Sequence, residues 1–182
     1  HIVPDFPMLG RILVMGLMPA AHMFARSLMV TVFMIMAGRL GGKVQAAYTV
    51  GLRLEMLAIM LAFPIANACA TLVGQNLGAR NLSRAWGAVW ASAAVELATL
   101  WPLALAVFVF RHPLIGFFVD DPEVAAMAEQ YLVHSSTILA FYGLYFVAFR
   151  TMQASGDMLS PMLISVSTAV FVGAPLGFWL AT

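Results

Sequence analysis

The stretch EMLAIMLAFPIANACATLVGQNLGARN (55–81) decides how this chain folds. From Met56 to Val73 it carries no charge, and it closes on a polar, glycine-bearing ending. A helix needs about 20 mostly apolar residues to cross the hydrocarbon of a bilayer, and this run is close to that length. Small residues recur at every fourth position: Ala58, Ala62, Ala66, Ala70, Gly74 and Gly78. In lipid no hydrophobic force holds helices together, so close backbone approach counts for more, and small-xxx-small stripes permit it. Each four-residue step turns the stripe about 40° round a 3.6-residue helix, which suits a crossing neighbour. Ala66, Ala70, Gly74 and Gly78 are therefore expected to form a helix-packing motif, either plain packing or a seam that moves. Pro64 predicts a kink midway. Gln75, Asn76 and Asn81 can satisfy backbone groups where the helix leaves lipid.

The rest of the composition agrees with that stretch. Of 182 residues, 63% are hydrophobic and only 9% are charged, against roughly 25% charged in soluble domains. There is too little polar surface to coat a water-soluble globule, so the chain reads as an integral membrane protein. A net charge of +1 gives no electrostatic case for nucleic acid. The single cysteine, Cys69, excludes an internal disulfide and a cysteine-rich metal site. The chain begins at His1 and stops at Thr182 inside an apolar run, and it reads as a piece of a longer protein, cut on both sides.

Five segments are long and apolar enough to span: about 12–37, 46–78, 86–110, 125–149 and 161–182. The expected fold is all-α, five transmembrane helices making one partial bundle over 1–182. Connections are short and carry turn signals: GRLGGK (38–43), ARNLSR (79–84), VDDPEV (119–124) and SGDMLSP (155–161). Asp121 suits an N-cap, Pro122 the first helical position and Glu123 the first turn. Ser160 suits an N-cap before Pro161. Short loops make neighbours antiparallel. Arg11, Arg80, Arg84 and Arg150 then share one side, against Arg39, Lys43 and Arg111 on the other. The positive-inside rule makes the Arg80 side cytoplasmic, in the cell's inner (plasma) membrane.

Charges within spans are expensive and are either paired or functional. Arg26 falls roughly 16 Å from the outer end of the first span and Glu55 roughly 14 Å from the outer start of the second, so the two can meet at similar depth. Glu96 is a less well matched partner. A static ion pair and a place in a water-filled substrate or ion pathway both stay open for these three. His22 and His134 are packing residues or proton relays. No His/Asp/Glu pair has metal-ligand spacing, and there is no HExxH, GxSxG or phosphate-cradling loop, so neither a metal site, a cofactor nor an enzyme is expected.

The ordered set GLRLE (51–55), TLVGQNLGAR (71–80), FFVDDPEV (117–124) and MQASGDMLSPMLIS (152–165) resembles the second six-helix half of the multidrug and toxic compound extrusion (MATE) transporters. GLMPAA (16–21) fits the first helix of that half. The resemblance implies twelve helices in two pseudo-symmetric bundles, with an N-terminal bundle and a last helix lying outside this chain. It implies a central cavity that alternates between inside and outside. Small organic cations would be exported against H+ or Na+. Sodium-coupled members place acids in the first and fourth helices of this half. The corresponding positions here, between His22 and Ser27 and near Tyr142, hold none. Coupling would then rest on the other half, or on Glu55 or Glu96. Arg26, Glu55, Asn67, Glu96, Tyr142 and His22 are the candidate pathway residues. Two other functions remain: a lipid-linked oligosaccharide flippase, which needs cations such as Arg26 and Arg53 facing the cavity, and a structural subunit that transports nothing.

Overall fold

In a computed structural model of the chain, residues 6–168 and residue 171 are described. Six helices follow in order: α1 (Phe6–Leu40), α2 (Gly42–Gly78), α3 (Leu82–Val109), α4 (Arg111–Gly116), α5 (Pro122–Ala154) and α6 (Leu159–Thr168). Four stretches are long and apolar enough to cross a membrane: Ala20–Leu40 of α1, and α2, α3 and α5 in full. The fifth expected span is seen only as α6, and its remainder to residue 182 lies outside the described residues. α2, α3 and α5 start three or four residues before the spans read from hydropathy, because their first turns, which hold Lys43, Arg84 and Glu123, are helical too. The six-residue α4 was not expected. It holds a proline and a glycine, Pro113 and Gly116, and reads locally as a turn.

The chain divides into two compact units, residues 1–36 with 156–182, and residues 37–155. The first unit holds most of α1 together with α6. The second holds α2, α3, α4 and α5, and its core lies where α2, α3 and α5 pack on one another.

α2 runs through four layers of that core. At one end Ala47 and Leu54 meet Ile115 of α4 and Val124, Ala128 and Leu132 of α5. Next, Ala58 meets Ala104 and Leu139. Ala62 and Ala66 then face Leu100 and Phe146. Last, Cys69 and Val73 pack on Ala93 and Val147. The small-residue stripe is thus buried at Ala58, Ala62 and Ala66, and then the buried line steps round to Cys69 and Val73. That is the drift expected of a four-residue repeat on a 3.6-residue helix. Ala70 is left half-buried. At Gly74, half-buried, and Gly78, exposed, an added Cβ would meet no atom within 4 Å among the described residues.

The quoted ending closes by a six-residue return. Asn81 N–H donates to Asn76 O (2.8 Å) and Arg80 N–H to Leu77 O (2.9 Å). Those two bonds define a Schellman cap. Its left-handed residue, usually glycine, is Arg80, with φ 57°. Asn81 then caps α3, its side chain accepting from Arg84 N–H at 3.1 Å. Asn76 turns back on its own helix, donating to Leu72 O at 2.7 Å.

Asp121 caps α5 as expected, accepting from Glu123 N–H at 2.9 Å, with Pro122 in the first turn. Ser160 does not cap α6. It lies inside the helix, and its N–H donates to Asp157 Oδ1 at 2.9 Å. Asp157 can reach it because Gly156 takes φ +89°, a left-handed turn that a side chain would strain.

Candidate functional site

The second unit holds a crevice of about 100 Å³ between α2 and α5, lined by Glu55, Tyr131, His134, Ser135, Leu139 and Tyr142 among others. Its polar centre is one hydrogen bond, from Tyr131 Oη–H to Glu55 Oε2 at 3.0 Å. The sequence sets this up one turn earlier. A Cβ at Gly51 would lie 2.2 Å from Tyr131 Cδ1, so only glycine lets the ring lie against α2 and reach Glu55. Tyr48 holds the ring from the side, edge to face, with centroids 5.7 Å apart. Gly51 and Glu55 are the two ends of the GLRLE motif.

The other wall belongs to α5. His134 Nδ1 lies 2.8 Å from Gln130 O. A carbonyl only accepts, so Nδ1 carries the hydrogen and Nε2 of the neutral ring is left as an acceptor. Tyr142 packs edge-on to Phe146, with centroids 5.1 Å apart. The crevice therefore joins one carboxylate, two phenol rings, an imidazole and a hydroxyl. Carboxylate and aromatic faces both attract a positive charge.

Of the six candidate pathway residues, Glu55 and Tyr142 come together here. The partner the structure gives Glu55 is Tyr131. His22 and Arg26 belong to the first unit. Asn67 is half-buried on α2, and its backbone carbonyl accepts from Thr71 Oγ1 at 3.1 Å. Glu96 is wholly buried on α3. Tyr131 and Ser135 went unmarked in the sequence. The only signal for Tyr131 is indirect, the glycine at 51, and it points to no particular ring.

A second feature, an open surface groove of about 530 Å³, lies between α3 and α5, lined by Trp101, Pro102, Leu105, Phe108, Thr137 and Ala140 among others. Trp101 Nε1–H donates to Ala140 O at 3.0 Å along its edge. It is apolar and aromatic and holds no charged group.

At the start of α5 the charges sit outside the spans. Lys43 Nζ pairs with Glu123 (2.5 Å) and Asp121 (3.5 Å), tying the first turn of α2 to that of α5. The Glu123 N–H, and after it Lys43, hold the Asp121 carboxyl below the usual carboxylate range. Asp157 is likewise held low, by its hydrogen bonds from Ser160.

Long apolar helices, a core of alanines and one glycine-spaced polar crevice define a multi-pass helical membrane protein. The chain belongs to the MatE family, whose profile matches residues 19–179. It is 25% identical over 96% of its length to a probable multidrug resistance protein NorM of Xanthomonas axonopodis pv. citri. It is 24% identical over 97% to a probable multidrug resistance protein NorM of Thermotoga maritima. To the multidrug resistance protein PmpM of Pseudomonas aeruginosa it is 25% identical over 97%. The chain spans 37–38% of the length of these relatives.

Proposed function

We propose that this chain is part of a secondary-active efflux transporter, not an enzyme, that exports amphipathic organic cations against H+ or Na+ by alternating access. The observation that carries the reading is the Glu55 crevice. A cationic, partly aromatic molecule gains charge pairing at Glu55 and ring contact at Tyr131 and Tyr142. Membership of the MatE family and the multidrug resistance names of the relatives point the same way.

A crevice of about 100 Å³ is smaller than the roughly 300–1,000 Å³ of drug-sized pockets. It takes one end of a substrate or the coupling ion, and a partner N-terminal bundle supplies the rest of the cavity. Rocking of the two bundles opens that cavity to each side in turn. The Arg80 and Arg84 end is the cytoplasmic one, in the inner membrane. The lining of the crevice includes no lysine or arginine, which favours a cation over the pyrophosphate of a lipid-linked oligosaccharide. Glu55 faces a cavity, which favours transport over a purely structural role.

The test is ethidium efflux by the protein at its full natural length, in cells stripped of their own pumps. Glu55→Gln is expected to slow efflux about tenfold or more, equivalent to ~1.4 kcal/mol, with expression unchanged. No efflux from the unmutated protein would sink the reading. Unaltered efflux in Glu55→Gln would remove that residue from it.

A further inference from the structure

Glu96 plays no part in the crevice. It stands on α3 between the Leu100 layer and the Ala93 layer of the core, and none of it is exposed. Neither carboxyl oxygen has a hydrogen-bond partner. The backbone of α5 lies directly against it: a Cβ at Gly143 would sit 2.7 Å from Glu96 Oε2 and 2.8 Å from Leu100 Cδ1. α5 bears a glycine where it meets this carboxyl.

Titratable neighbours on both flanking helices are engaged elsewhere. On α2, Cys69 lies in the Ala93 layer, its Sγ 3.7 Å from Thr151 Oγ1. On α5, Tyr142 lies in the Leu100 layer, packed on Phe146. Arg150 lies further along, over the Phe63 ring at 4.6 Å and donating to Gln153 at 3.0 Å. Among the described residues no hydrogen bond or ion pair from a cation reaches the carboxyl.

An ionised carboxylate without a partner is far more costly to bury than the neutral acid. A sodium ion needs a shell of oxygen ligands, as hard cations do. Among the described residues no group of three or more His, Cys, Asp or Glu side chains gathers to hold a metal ion. A bare proton on the carboxyl needs no such shell.

We propose that Glu96 is a buried proton-binding site that controls the α3–α5 crossing. As the neutral acid it lets α5 lie on it at Gly143. On losing its proton to water, the carboxylate must be hydrated or paired, and the crossing parts to admit that. As a coupling step in export the site rests on the efflux reading above; as a proton site it does not.

The test uses the protein at its full natural length in lipid nanodiscs. Infrared difference spectra between acid and alkaline pH read the neutral carboxylic-acid C=O band. A band lost at alkaline pH in the unmutated protein and missing at every pH from Glu96→Gln is expected. Spin labels at Ala94→Cys on α3 and Phe141→Cys on α5, in a background freed of other cysteines, read the crossing. Their separation is expected to grow at alkaline pH with Glu96 present and to stay fixed in Glu96→Gln. The proposal is overturned if no pH-sensitive band is lost in Glu96→Gln, or if the separation responds to pH equally in both. Neither readout depends on export, so an unmutated protein that passes both yet moves no dye sinks the efflux reading alone.

Discussion

Gly51 decides where Tyr131 goes, and Tyr131 decides how Glu55 is held. The ring comes from 76 residues beyond Glu55, so nothing local in GLRLE announces it. The motif could be read for its acid and its order, but not for the reason its glycine is there. Gly51→Ala forces a Cβ to within 2.2 Å of the ring. Overpacking of that kind costs about 1–3 kcal/mol. The expected outcome is a lower unfolding temperature in detergent together with loss of the Tyr131–Glu55 bond. A Gly51→Ala protein as stable as the parent would mean that the ring is not held there. Arg80 teaches the same lesson. Glycines at 74 and 78 draw the eye, yet the left-handed residue is an arginine, chosen by where the return bonds close.

At the level of elements, the sequence was most legible where a residue acts on its own backbone. Asp121 and Pro122 mark the start of α5 because capping needs only neighbours. The drift of the α2 stripe followed from helix geometry alone. Cap and helix start came apart at Asp157, because the turn at Gly156 brings its side chain back onto Ser160 N–H. α4 escaped because six residues are too few for a period to show. The Asp121 cap also sets a pH dependence. Its folded carboxyl titrates below its unfolded value, which is near 3.9. The stabilisation is therefore complete above that value and lost as pH falls through the lower, folded one. Unfolding temperature is expected to drop as pH falls below the unfolded carboxyl value, and less steeply in Asp121→Asn. Identical slopes for the two proteins would show that the cap contributes nothing.

For the whole molecule, composition identified the solvent before any contact was known. A surface carrying Leu57, Met60, Trp90 and Leu105 exposed is a surface for lipid or for another bundle. Orientation was harder to read, since four basic residues stand against three. Cysteine accessibility decides it. In intact cells, with Cys69 replaced by alanine, a membrane-impermeant maleimide is expected to reach Asp120→Cys. It should reach Asn81→Cys only after the membrane is opened. The reverse pattern would invert the topology.

The join between α2 and α3 has a mechanical consequence. One helix is closed by Arg80 and the next is capped by Asn81, so there is no slack between them. A long linker absorbs the twist of a helix before its neighbour feels it. Here only three residues part the two helices, and Ala79, Arg80 and Asn81 each donate a backbone hydrogen bond into α2, so the residue that caps α3 is itself tied to the end of α2.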